Sequence, residues 1–268
     1  MISNSFLLRL FLMLLPVLAL CQENSFSAQV STFTIEAPQL NSIKKIWLYL
    51  PKEYGKSKKK YPVIYMHDAQ NLFNKKTSYT GEWQVDEALD SINAHVIIVG
   101  IEHGNEKRVD ELTPYPNPKY GGGKADQYLA FIVHTLKPKI DATYRTKTNF
   151  KNTTIFGSSL GGLVSYHAAL KYPKVFGKAG FFSPSFWFTN DIYTLTENTP
   201  VVNAKIYFLC GDNEDVTTVA DMKKMAQLLN QKPGCDSQLY KEIIIKGGQH
   251  NEKLWRENFL KAYLWLMN

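Results

Sequence analysis

Apolar residues in this chain come in short dense runs that alternate with stretches of helical spacing, from about residue 33 to the end. Residues 33–37 and 43–50 read as strands, the second alternating. A short apolar run at 62–67 and a buried one at 95–102 read as strands, and 152–156, 178–182, 205–210 and 240–245 as further strands. Between and after them, helical spacing predicts helices over 83–92, 125–144 (interrupted by Pro138), 160–171, 216–230 and 252–266. Strand and helix in alternation, with strands apolar on both faces, imply a mostly parallel sheet covered by helices on both sides. About eight strands are expected, the first pair antiparallel, in a single α/β domain over residues 22–268. Trp255, Phe259, Leu260 and Tyr263 keep helical spacing and form the docked face of the last helix. In such a sheet, ligand binds beyond the carboxyl ends of the strands.

One junction stands out. Residues 152–156 are strand-like, residues 160–171 helix-like, and between them Gly157-Ser158-Ser159-Leu160-Gly161 fits the G-x-S-x-G nucleophile elbow centred on Ser159. A serine hydroxyl is a weak nucleophile and must stand exposed on a tight turn. The flanking glycines let neighbouring backbone pass without a Cβ clash. The following helix aims N–H groups and its positive dipole end at the site. The partners should follow in the order Ser, acid, His. After Ser159 the histidines are His167 and His250. His167 falls inside the elbow helix and points into packing. His250 follows the last strand in a glycine-rich loop, where a base can reach the serine. The acid should follow strand 205–210, in the turn Gly211-Asp212-Asn213-Glu214-Asp215. Glu214 is favoured, Asp215 is the alternative, and Asp212 sits where it could cap the next helix. An oxyanion hole needs two N–H donors: Leu160, and one from the loop after strand 62–67, either Ala69 or Gln70.

The remaining composition changes this picture little. The formal charge of +7 falls to +6 when Arg9 is removed with the leader. Lys56, Lys58, Lys59 and Lys60 share one loop, read as a solvated connection with no nucleic-acid signature. The six histidines are scattered and show no metal-ligand spacing, so neither metal nor cofactor is expected. Residues 1–21 carry Arg9, an apolar stretch of signal-peptide length, and Ala19 and Cys21 at −3 and −1 of a cut before Gln22. Simple cleavage is preferred to acylation of Cys21, because Leu20 is bulky for the position before a lipidated cysteine. The protein is therefore expected outside the cytoplasm, periplasmic or secreted, without a stable membrane insertion. Cys210 and Cys235 remain; they fall at opposite ends of the sheet, which disfavours a disulfide.

These residues resemble the putative-esterase branch of the α/β-hydrolases, which includes siderophore trilactone esterases, feruloyl esterases, S-formylglutathione hydrolases and mycolyltransferases. The matching pieces run from about residue 43 to the end: 65–73, 81–87, 108–115, 136–146, 155–163, 182–187 and 247–252. The resemblance implies an α/β-hydrolase fold, with Ser159 as nucleophile, His250 as base and Glu214 as acid. Ala69 stands where the family pattern has glycine, which keeps the backbone donor and narrows the pocket by a methyl. Trp187 and Phe188 are candidates for an aromatic wall, and Arg108, Glu111 and Arg145 for orienting substrate or for an ion-pair network. The expected activity is cofactor-free ester hydrolysis on a small-molecule or oligosaccharide ester, a siderophore lactone or an aryl or acetyl sugar ester. An acyltransferase on the same triad and a binding module retaining the fold are the rival readings.

Overall fold

The computed structural model describes residues 26–200 and 202–268; the leader and Cys21 lie outside them. Eight strands follow the apolar runs: β1 (Val30–Ala37), β2 (Ser42–Tyr49), β3 (Val63–His67), β4 (Ile97–Ile101), β5 (Thr153–Ser158), β6 (Lys178–Phe182), β7 (Lys205–Gly211) and β8 (Tyr240–Ile245). They form one sheet in the order β1-β2-β4-β3-β5-β6-β7-β8. β2 pairs antiparallel with β1 and with β4, and the six strands from β4 to β8 are mutually parallel.

Alternate residues of the central strands feed two cores. One face carries Val63, Tyr65, Ile97, Val99, Ile155, Phe181, Ile206 and Phe208, packed on helices α3 (Ala125–Phe131), α5 (Leu160–Lys171) and α7 (Thr218–Asn230). The other carries Ile64, Met66, Ile98, Phe156, Phe182, Tyr207 and Leu209. Helices α1 (Val85–Ser91) and α8 (Glu252–Met267) cover this second face. Trp83 is its hub, with ring centroids 5.7 Å from Phe182 and 5.7 Å from Trp255. Burying large aromatics on both faces is what makes the centre of the sheet rigid.

Some elements escaped the apolar pattern. α2 (Arg108–Leu112), α6 (Asp191–Asn198) and a short ribbon pairing Pro116–Asn117 with Gly121–Gly122 lie in polar connections. Residues 125–143 run helically through Pro138 instead of breaking there. A π turn at Ile132–Leu136 comes first, and the helix resumes as α4 (Lys137–Thr143). Proline lacks the N–H an α-turn would use, and a widened turn absorbs that loss. Cys210 and Cys235 are both free. Among the described residues no helix is long and apolar enough to cross a membrane.

Candidate active site

The carboxyl ends of β3, β5, β6, β7 and β8 lie along one edge, and the turns that leave them supply the site. At the end of β5 the chain reverses through Ser159, whose φ of 56° and ψ of −125° are strained for a residue with a side chain. The strain is held from outside. The Ser159 N–H donates to Phe182 O (2.9 Å), and its own carbonyl accepts from the Ser185 N–H (3.1 Å). A Cβ on Gly157 would sit 2.6 Å from the backbone of Gly161, so strand and helix cross where only hydrogen fits. Ser159 is half-buried, and its Oγ lies 3.3 Å from Ser185 Oγ. Leu160 opens α5, so its N–H is one the helix itself leaves unpaired.

β7 ends at Gly211, and Glu214 folds back beneath the following turn. Its side chain is fully buried. Oε1 accepts from the Gly211 N–H (2.7 Å) and from Ser183 Oγ (2.6 Å); Oε2 lies 2.8 Å from His250 Nδ1. Ser183 Oγ in turn accepts from Trp255 Nε1 (2.9 Å), and the Trp255 ring stands edge-on to His250 at 5.2 Å. The other two acids of the turn face elsewhere. Asp215 accepts from the Thr217 and Thr218 N–H groups and from Thr218 Oγ1, which caps α7. Burial would raise the Asp215 carboxyl, but these donors hold it below its ordinary value. Asp212 does not cap the helix: its Oδ1 accepts the Gly247 N–H at 2.6 Å and ties the end of β7 to the loop before His250.

A cavity of about 480 Å³ joins Ser159 and His250, and its walls include Asp68, Asn71, Tyr79, Thr80, His103, Arg108, Glu252 and Trp255. Its volume lies within the range of small-molecule sites. Arg108 grips Asp68 bidentately, Nε to Oδ1 at 2.8 Å and Nη2 to Oδ2 at 2.9 Å. Burial would raise the Asp68 carboxyl, but the adjoining guanidinium holds it below its usual value. Burial lowers the His103 imidazole from its ordinary value. Glu252 is buried at the start of α8 and accepts from Thr80 Oγ1.

The other sequence candidates fall at varying distances from this cavity. Ala69 is fully buried in the one-turn helix Ala69–Asn71, entered through Asp68 at φ 55°. Ala69, Gln70 and Leu160, the expected oxyanion donors, are neighbours in sequence of the lining residues Asp68, Asn71 and Ser159 but do not themselves line the cavity. Trp187 is 47% exposed and pairs edge-on with Tyr120 on the surface rather than lining the cavity. Glu111 is an internal partner: it bonds Lys44 at 2.6 Å and the Gly104 N–H at 2.9 Å. Arg145 stacks on Tyr54 with 3.8 Å to the ring centroid and donates to backbone carbonyls, a loop-fixing role. His167 is buried within α5 and meets Asp126 at 2.9 Å. Sequence reasoning gave no role to Ser183, Ser185 and Glu252, and left Asp68 open between a site residue and a simple turn; Ser183 and Ser185 follow β6 directly, Asp68 follows β3, and Glu252 opens α8.

A family model described as "Putative esterase" matches residues 37–266. The uncharacterized protein YbbA of Bacillus subtilis is 28% identical over 237 residues, 83% of this chain and 92% of that protein. A siderophore enterobactin esterase of Emericella nidulans is 36% identical over 75 residues, 28% of this chain and 24% of that protein. The crystal structure of the BES protein from Bacillus cereus matches with a TM-score of 0.73 at 21% identity, over 91% of this chain and 97% of that one. That likeness spans the whole sheet and its helices.

Proposed function

This chain belongs to the putative-esterase family and is a carboxylic-ester hydrolase, and we propose that it works as a serine esterase through an acyl-enzyme. The supporting observation is the Glu214–His250 contact at 2.8 Å, which opens onto the same cavity as the strained Ser159. With Glu214 Oε2 accepting the Nδ1–H, the lone pair of His250 stands on Nε2, the nitrogen a base must present to a serine. Ser159 Oγ attacks the ester carbonyl while Nε2 takes its proton. The negative charge moves to the carbonyl oxygen, where the Leu160 and Ala69 N–H groups, or Gln70 in place of Ala69, receive it. Collapse breaks the C–O bond, and the imidazolium returns its proton to the departing alkoxide. Water then repeats the sequence on the acyl-serine and leaves free acid and free Ser159. Glu214 holds the Nδ1–H and stabilises the imidazolium. Ser159 Oγ lies 3.3 Å from Ser185 Oγ at rest.

The similarity to a siderophore enterobactin esterase supports a siderophore-type lactone as substrate, ahead of aryl or acetyl sugar esters. The Arg108 guanidinium is neutralised by Asp68, and Glu252 adds a carboxylate to the same cavity. That balance favours an uncharged acyl group over an anionic one. The leader-like residues 1–21 support export, with residues 22–268 as the mature single domain.

Ser159→Ala should cut p-nitrophenyl acetate turnover by roughly three orders of magnitude or more, and unchanged turnover would end this reading. On a panel of iron-free and ferric catecholate lactones and of feruloyl and acetyl sugars, the iron-free lactone should give the highest kcat/KM. Feeble, equal rates on all would remove the substrate assignment while leaving the chemistry in place.

A further inference from the structure

Three carboxylates converge outside the catalytic cavity, on the segment that leads into α1. Gly81 at φ 140° and Gln84 at φ 55° fold this stretch sharply, so that Glu82, Asp86 and Glu87 come together. One oxygen from each lies within 4.8 Å of the other two. Glu82 is 6% exposed and Asp86 is fully buried, while Glu87 reaches the surface.

The donors around them do not satisfy them. Asp86 Oδ2 accepts the Ser27 N–H at 2.7 Å, yet Asp86 Oδ1, Glu82 Oε1 and Ser27 Oγ are all enclosed without a hydrogen-bond partner. The nearby Arg256 donates at 2.9 Å to the Glu82 backbone carbonyl, not to its carboxylate. A buried carboxylate oxygen with no donor is among the costliest arrangements a fold can carry. It must take up either protons or a cation.

An all-oxygen donor set selects a hard cation. Two oxygens on opposite sides of a calcium ion, each bound at ~2.4 Å, stand about 5 Å apart. Three carboxylate oxygens mutually within 4.8 Å fit around one such ion. Magnesium keeps several of its waters and is seldom held by an all-protein set of carboxylates, so this donor set suits calcium better.

We propose that Glu82, Asp86 and Glu87 form a calcium-binding site, with Ser27 Oγ close by as a further oxygen ligand. The site ties the approach to β1, through Ser27, to the start of α1. It also steadies the chain just before it, where Tyr79 and Thr80 line the catalytic cavity and Thr80 holds Glu252. The inference concerns binding and does not depend on the esterase chemistry.

The test uses the whole protein, stripped with chelator and titrated with calcium chloride by calorimetry at neutral pH, alongside thermal unfolding with and without calcium. One calcium should bind per chain, and saturating calcium should raise Tm by several degrees. Magnesium should bind at least about tenfold more weakly, because it dehydrates reluctantly and demands near-octahedral geometry. Asp86→Asn should abolish binding. Because that buried change can itself disturb folding, the surface change Glu87→Gln is the control: it should keep the fold, weaken calcium binding at least about tenfold and remove most of the Tm rise. Absence of saturable calcium binding by the wild type up to about 10 mM, well above the weak end of protein calcium sites, would overturn the proposal. So would equal binding by wild type and Glu87→Gln, or equal affinity for magnesium.

Discussion

Glu214 shows why a residue's role depends on the donors around it. Asp212, Glu214 and Asp215 crowd one five-residue turn, and in sequence they are three similar acids. In the structure Asp215 is surrounded by helix N–H groups, Asp212 by the Gly247 N–H, and Glu214 alone meets His250. No pattern in the turn announces that difference, because the donors come from β6 and from the loop after β8. Glu214→Gln should therefore lower kcat/KM by roughly three to four orders of magnitude. Asp215→Ala should leave it within about threefold, while losing a cap worth ~1 kcal/mol of stability. Steady-state ester hydrolysis and thermal melts of the two variants separate these roles. Ser183, at φ 44°, donates to Glu214 while accepting from Trp255. Ser183→Ala would strand the buried Trp255 N–H, at a cost of about 1–3 kcal/mol. It should also reduce kcat about tenfold with KM little changed, since an orienting contact rather than a binding contact is lost.

Elements were more legible than residues, for a reason visible in their neighbours. α5 begins and ends where the sequence placed it, at residues 160 and 171, because the elbow and Pro173 bound it on both sides. β6 was equally clear, whereas β8 carries Lys241 and Glu242 and lies half-exposed at the edge of the sheet. α7 starts at Thr218 rather than residue 216, because Asp215 fixes the first turn. α2 and α6 sit in polar connections, where no apolar stripe marks them. What holds the elements in register at the site is close backbone approach. A Cβ on Gly157 would meet Gly161 at 2.6 Å, and one on Gly211 would meet Gly248 O at 2.1 Å. Gly157→Ala should destabilise the fold by at least ~2 kcal/mol, as overpacking does in a rigid core. Gly211→Ala pushes the end of β7 away from the His250 loop. It should cost activity disproportionately to stability, and kcat measured beside urea unfolding decides the point.

At the scale of the whole molecule, one buried histidine couples stability to pH. His67 ends β3 behind the elbow, 2% exposed, with Nδ1 2.8 Å from Tyr128 OH. Burial lowers its pKa from 6.5 to about 4. Between those values the unfolded chain takes up a proton that the folded chain refuses, so stability falls as pH falls from about 6.5 to about 4, by up to about 3 kcal/mol. Asp68 and Asp215, held below the ordinary carboxylate value, act in the same direction at lower pH: the stability they add above that value is lost on acidification. Glu82 and Glu87, whose carboxyls are raised, act the other way over the same range, so the His67 contribution is read as a difference: from about pH 7.5 to about pH 4.5 the urea stability of His67→Asn should shift relative to wild type by up to about 3 kcal/mol in the variant's favour. The mostly parallel sheet, its two helical layers and the strand-end edge that carries the cavity were all legible from periodicity and the elbow. The cavity itself was not, because Asp68, Thr80, Arg108 and Glu252 come from segments far apart in the chain. The central claim is that Ser159 is made reactive by His250 and Glu214. Its most direct test is labelling of the folded protein with a fluorophosphonate, followed by mass mapping of the adduct. One adduct per chain on Ser159, lost in Ser159→Ala and nearly lost in His250→Ala, is the result expected. Full labelling of Ser159→Ala, or an unlabelled wild type that still hydrolyses esters, would contradict it.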